Sequence, residues 1–276
     1  MKTRSKFFFL WYILLMFFII FTIFPIYWML ITAFKSFQEI YQVIPKLWPS
    51  KLVWQNFLEI FQKYEYGPAL WNSFLISIVV SCITIFISIF SAYAVVRLRF
   101  KGKRVMPKLF LLSYLIPQTI LFIPVYILLS EMNLTNTIWG LLLIYPTMTI
   151  PYATWILITY FQNLPVELEE AAFVDGASRL QTILFIVIPP SLPSIVSTYI
   201  FSFTICWSEY IYALVVISKK TERTITLALS NMLVADIIPW GPLMAGAVIA
   251  ALPIMFVYGI ASKYIVSGLT LGSVKG

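Results

Sequence analysis

Histidine is absent from this 276-residue sequence, and only two cysteines occur, Cys82 and Cys206, both inside apolar runs. Those scarcities exclude a zinc site built on His or Cys ligands and a disulfide framework. Aspartate is almost as rare. Asp175 and Asp236 fall in polar loops, so the facing pair that an aspartyl-type intramembrane protease needs is missing. A phosphate-cradling loop is missing too: Gly102-Lys103 is followed by Arg104, with no glycine five residues earlier. Charged residues make up only 11% of the chain, against about 25% in soluble globular domains. Such a chain cannot coat itself with polar surface in water. What is abundant is hydrocarbon, 61% of all residues. The reading is an all-α integral membrane protein, a single transmembrane domain over residues 1–276, with no catalytic residue and no metal site.

Six apolar runs, at about 7–33, 69–96, 109–129, 137–161, 183–217 and 243–261, are each long enough to span a bilayer, which takes about 20 residues. The first follows Lys2, Arg4 and Lys6 but is too long for a cleavable signal, so it is read as an uncleaved helix. The net charge of +8 does not indicate nucleic acid, because the basic residues lie in short loops between the runs. Placing the N-terminus inside puts Arg97, Arg99, Lys101, Lys103, Arg104, Lys108 and Arg179 on the inner side. Six spans with both termini cytoplasmic then satisfy the positive-inside rule.

Residues 34–68 mix charge with aromatics, and the 54/57/58/61 spacing suggests a short amphipathic helix on the lipid surface or a docking element. Along the second run Ser73, Ser77, Ser81, Thr84, Ser88 and Ser91 share one helix face. Small hydroxyl residues there either permit close packing or line a wet path. Prolines recur within the runs, each freeing a carbonyl that must find another partner in a bilayer.

The segment 162–182 is different in kind. Pro165 suits a first helical turn, and Glu167, Glu169 and Glu170 lie at the positive end of the helix dipole. Gly176 is suited to the left-handed position that ends such a helix, and Ser178 with Gln181 has capping-box spacing ahead of the apolar run from Ile183. A short helix, a glycine elbow and a second helix follow. By physics alone this is either a partner-docking element or a solvated loop.

Glu170-Ala171-Ala172, Asp175-Gly176-Ala177, Ile188-Pro189 and Pro193 resemble the EAA loop of permease subunits of binding-protein-dependent ABC importers. Trp207-Ser208-Glu209-Tyr210 and the ending Gly268-Leu269-Thr270 to Gly276 are similar to the sugar-importing branch, and most closely to the MalG-type subunit of maltose-like transporters. The resemblance implies an ABC type I importer permease fold in the cytoplasmic (inner) membrane of a prokaryote. It implies that Glu170, Ala171, Ala172, Asp175, Gly176 and Ala177 form a coupling helix seated on an ATP-binding subunit, with Lys275 and Gly276 reaching toward the same partner. It implies a second permease subunit, an ATP-binding subunit dimer and an extracytoplasmic solute-binding protein as partners. ATP and Mg would then sit on the partner ATPase, with no cofactor bound by this chain. Ser194, Thr198, Ser202 and Glu209 lie near one face of the fifth run and are the candidate substrate path. The solute implied is a sugar or oligosaccharide, with another polar solute (a polyol or glycerol phosphate), a membrane enzyme or a scaffold as alternatives.

Overall fold

The computed structural model describes residues 2–234 and 237–271, with side chains described for 11–233 and 237–261. The tail residues Lys275 and Gly276 lie outside the described residues. Five described helices are each long and apolar enough to cross a membrane, and a sharply bent pair makes a sixth if it counts as one broken span. The helices fall into two compact units, residues 1–67 with 228–252 and residues 68–227 with 253–276.

In the first unit, α1 (Lys2–Ala33) is apolar from Trp11 onward and largely exposed along that stretch. Its end is tied down by polar contacts. Lys35 is buried, its ammonium lies 4.2 Å from the Trp28 ring centre, and it donates to the Lys46 carbonyl at 2.6 Å. Burial pushes the Lys35 pKa below the usual lysine range, opposed by the nearby Glu39 charge. Glu39 is held below the usual carboxylate range mainly by hydrogen bonding from Ser50, and it closes a capping box with Ser36 at the start of α2 (Phe37–Ile40). The amphipathic helix expected after Trp54 is α3 (Gln55–Gln62), but its buried residues are Asn56 and Ile60, while Trp54, Leu58 and Phe61 are exposed. Asn56 turns inward because its amide donates to the Ala33 and Lys35 carbonyls, both at 2.9 Å. A Cβ on Gly241 would lie 2.6 Å from that same amide, so only glycine fits there.

In the second unit, α4 (Tyr66–Arg97) buries its hydroxyl stripe. Thr84 bonds Thr149 at 2.6 Å and Thr154 donates to Ser88 at 3.1 Å, both partners lying on α7 (Ile138–Phe161). Thr84 and Ser88 are thus packed against α7. The apolar run 109–129 is two helices, α5 (Met106–Leu115) and α6 (Gln118–Glu131), bent by 92°. Pro117 has no N–H to continue the helix, and Ile116 before it is extended, as a residue preceding proline prefers.

The run 183–217 is also broken. A π-helical turn, Ile183–Val187, leads into α10 (Ile188–Ser208), where Pro189 and Pro190 occupy the first turn. The chain turns extended at Glu209 and resumes as α11 (Ile211–Val216). The α8 (Glu167–Val174), α9 (Arg179–Thr182), α12 (Ile225–Asn231) and α13 (Trp240–Leu271) helices complete the set. Two apolar clusters hold the second unit. One gathers Ile76, Val80, Tyr145, Cys206 and Tyr212; the other gathers Tyr93, Phe161, Ile183 and Val187 near α8 and α9.

Candidate functional site

The elbow between α8 and α9 forms as its sequence dictates. Gly176 takes a φ of +84°, and its N–H bonds Phe173 O at 3.1 Å while Ala177 N bonds Ala172 O at 2.9 Å, closing the end of α8. Ser178 N then donates to Gln181 Oε1 at 2.8 Å, and the reciprocal bond from Gln181 N completes the capping box. Glu170, Ala171, Asp175 and Gly176 are exposed, Ala177 is half-buried, and Ala172 is buried. A Cβ on Gly176 would meet nothing within 4 Å, so any requirement for glycine here comes from its backbone angle or from an outside surface. Leu168, Phe173 and Val174 are exposed beside these residues, Val174 at 88%.

The inward side of α8 carries a feature the sequence reading missed. Glu169, 4% exposed, pairs with Arg97 at 2.6 Å and accepts from the Tyr93 hydroxyl at 3.0 Å. Arg97 also donates to Leu164 O at 3.0 Å, so one guanidinium at the end of α4 fixes both the entry to α8 and its first turn. Glu169 was visible only as one of three dipole-matching acids and Arg97 only as a topology charge. The usable signal is that Arg97 directly ends an apolar span on the side where the acidic loop was placed.

At the other break, Glu209 is 7% exposed with no lysine or arginine against it among the described ion pairs. Its carboxylate accepts from Tyr145 Oη at 2.7 Å, Tyr212 N at 2.8 Å and Ala213 N at 3.1 Å. It therefore caps α11 and ties that helix to α7. The Thr226 hydroxyl donates to its backbone carbonyl at 2.5 Å. Beside it opens a cleft of about 420 Å³ lined by residues of α5, α6, α7 and α10–α11.

Ser194, Thr198 and Ser202 are not among the residues of that cleft. Thr198 and Ser202 are buried, and their hydroxyls donate to carbonyls one turn back, at Ser194 O (2.7 Å) and Thr198 O (2.9 Å). Glu209 is thus set apart from the other three.

The chain belongs to the family described as "Binding-protein-dependent transport system inner membrane component", whose model matches residues 84–270. It is 32% identical over 261 residues to the inner membrane ABC transporter permease protein YcjP of Escherichia coli (strain K12), covering 94% of this chain and 93% of that one. It is 34% identical over 262 residues to the trehalose/maltose transport system permease protein MalG of Thermococcus litoralis, covering 92% of each. In fold it is similar to a chain of a bacterial ABC transporter involved in the import of the acidic polysaccharide alginate, with a TM-score of 0.84 over 96% of this chain and 98% of that one, at 18% identity. The resemblance carried by the EAA stretch is borne out, and the protein is an inner-membrane ABC importer permease.

Proposed function

We propose that this chain is one permease subunit of an ATP-driven importer that accepts a sugar or oligosaccharide from an extracytoplasmic binding protein, with both of its own termini cytoplasmic. The sugar assignment draws on relatives described as permeases for trehalose/maltose and for diacetylchitobiose, the latter from Streptomyces coelicolor. A second permease subunit completes the translocation path, and an ATP-binding subunit dimer carries ATP and Mg, this chain binding no cofactor.

The observation that carries the mechanism is the two-sided construction of α8. Its inner side is fastened by the Arg97–Glu169 pair, while Glu170, Ala171, Asp175 and Gly176 face outward with Phe173 and Val174. A short helix held at its base and open on the opposite side suits a surface that is gripped and pushed. Packed contacts with discrete arrangements pass such a push onward as rigid-body motion. From Ala177 the chain runs through α9 and the π-helical turn directly into α10, so movement of the elbow is delivered to a spanning helix. Lys275 and Gly276 are proposed as a further contact to the ATPase, and Glu209 as a residue beside the path.

The test is Gly176→Glu in the assembled transporter. A Cβ at Gly176 clashes with nothing within 4 Å, but the φ of +84° strains the elbow backbone for any other residue, and the added charge opposes docking. The variant is expected to insert normally and lose sugar uptake. Normal uptake in vesicles carrying it would refute coupling through this elbow. A second check is hydrolysis: the purified chain alone should show no ATPase activity.

A further inference from the structure

A cavity of about 380 Å³ lies within the first unit, where the apolar stretch of α1 ends and that of α13 begins. Trp28 and Thr32 reach it from the last turns of α1, and Trp240 and Met244 from the first turns of α13. Trp28 is only about 8 Å of helix from the Ala33 end, at 1.5 Å per residue. Tryptophan and tyrosine at the ends of spans mark the headgroup layer of a bilayer, and Tyr41 joins the two tryptophans here. A further wall is the segment 41–47, which is pinned in place: the Tyr41 hydroxyl donates to Ile238 O at 2.8 Å, the Tyr27 hydroxyl to Leu47 O, and the Lys35 ammonium to Lys46 O at 2.6 Å. Beside Pro45 in that wall, Val43 and Ile44 are 99% and 81% exposed, as suits a loop that dips into lipid.

The polar groups of the cavity have capacity to spare. Thr32 is 6% exposed and its hydroxyl has no hydrogen-bond partner among the described residues, whereas Thr22 on the same helix donates to Phe18 O at 2.8 Å. A buried hydroxyl is rarely left unpaired unless a ligand or water meets it. Lys35 carries three N–H donors, of which one goes to Lys46 O while the Trp28 ring faces the ammonium. Glu39 lines the same cavity, and its ion pair is with Lys46 at 3.8 Å. An ammonium and a hydroxyl can meet a phosphate, and a carboxylate can meet an amine. A simple anion would face the like charge of Glu39, and a simple cation that of Lys35; a zwitterion satisfies both. A zwitterionic phospholipid brings that pairing on a headgroup already at this depth, with Ile40, Pro45 and Met244 as apolar wall for the chain below it.

We propose that this cavity holds the headgroup of a zwitterionic phospholipid, with Lys35 and Thr32 on its phosphate and Glu39 facing its amine. The bound lipid ties the end of α1 to the start of α13 within the first unit. The inference stands apart from the sugar reading, since it concerns the lipid around the subunit and not the solute.

The test uses the assembled importer, stripped of lipid in detergent and titrated with phosphatidylethanolamine, phosphatidylglycerol or soluble glycerophosphoethanolamine, with retained ligand counted by native mass spectrometry. The wild type should retain phosphatidylethanolamine about tenfold more tightly than phosphatidylglycerol, the difference of one charge-assisted contact. Thr32→Val should weaken that retention about fivefold, the loss of one hydrogen bond to a charged group. Its lipid-free Tm should be no lower than that of the wild type, because the hydroxyl has no partner to lose. Glu39→Gln should erase the preference for the ethanolamine headgroup over the glycerol one. Equal retention by wild type and Thr32→Val, or a wild-type preference for phosphatidylglycerol, overturns the site. A lower lipid-free Tm in Thr32→Val overturns it in favour of a structural role for the hydroxyl. Glycerophosphoethanolamine bound as tightly as the lipid overturns the membrane assignment in favour of a soluble phosphate ligand.

Discussion

Glu169 and Glu209 are both buried glutamates in the same compact unit, and they are stabilised in opposite ways. Glu169 meets a cation, Arg97, and a tyrosine hydroxyl, and the pair fastens an extramembrane helix to the end of a span. Among the described residues Glu209 meets backbone amides and the Tyr145 hydroxyl, so its charge is spread onto dipoles, and it lies beside an open cleft. A full ion pair suits a fixed attachment, because removing either partner strands the other. Burial of an acid does not by itself identify its task; its partners do.

The comparison can be broken at either end. The largest effect is expected from Arg97→Ala, which leaves Glu169 buried without its cation at a cost of about 3–5 kcal/mol for that attachment. Limited proteolysis should then cut the 162–182 loop in a protein whose spans remain folded, and equal resistance in variant and wild type would remove Arg97 from its anchoring role. Next comes Glu209→Ala, which strips α11 of its cap and leaves two amides and a hydroxyl unpaired, for about 1–3 kcal/mol. Thermal unfolding in detergent should show that loss without increased cleavage at 162–182. Tyr145→Phe deletes one of the three donors to Glu209 and should cost about 1 kcal/mol in the same assay. Thr84→Val is the smallest, about 0.6 kcal/mol, because hydrogen bonds between spanning helices are modest in net effect. A Thr84→Val loss as large as that of Glu209→Ala would mean that the buried hydroxyl stripe does more than pack.

Legibility in the sequence followed distance along the chain. The elbow was readable because its determinants are local: three acids in one turn, Gly176 at the end, and the Ser178–Gln181 box two residues on. Arg97 was not readable as its anchor because 72 residues separate it from Glu169. The apolar run 109–129 was visible as a membrane segment, and Pro117 marked a break, but a bend of 92° depends on what the two halves pack against. Glu209 is legible as an acid on the candidate path in the fifth run. Its capping role was hidden because the helix it caps, six residues from Ile211, merges with α10 in any reading by hydrophobicity. The spacing of the α4 hydroxyls showed a face, while Thr149 and Thr154 on α7 decided that the face is packed.

In the proposed mechanism α8 is bolted to the subunit on one side and open to be gripped on the other. Exchange of the bolt's charges tests it most directly: Arg97→Glu, Glu169→Arg and the double exchange, each measured in the reconstituted importer as sugar taken up per ATP hydrolysed. Both single variants should lose coupling, and the double exchange should recover a substantial part of it. Single variants that transport with wild-type coupling, or a double exchange no better than either single change, would contradict it.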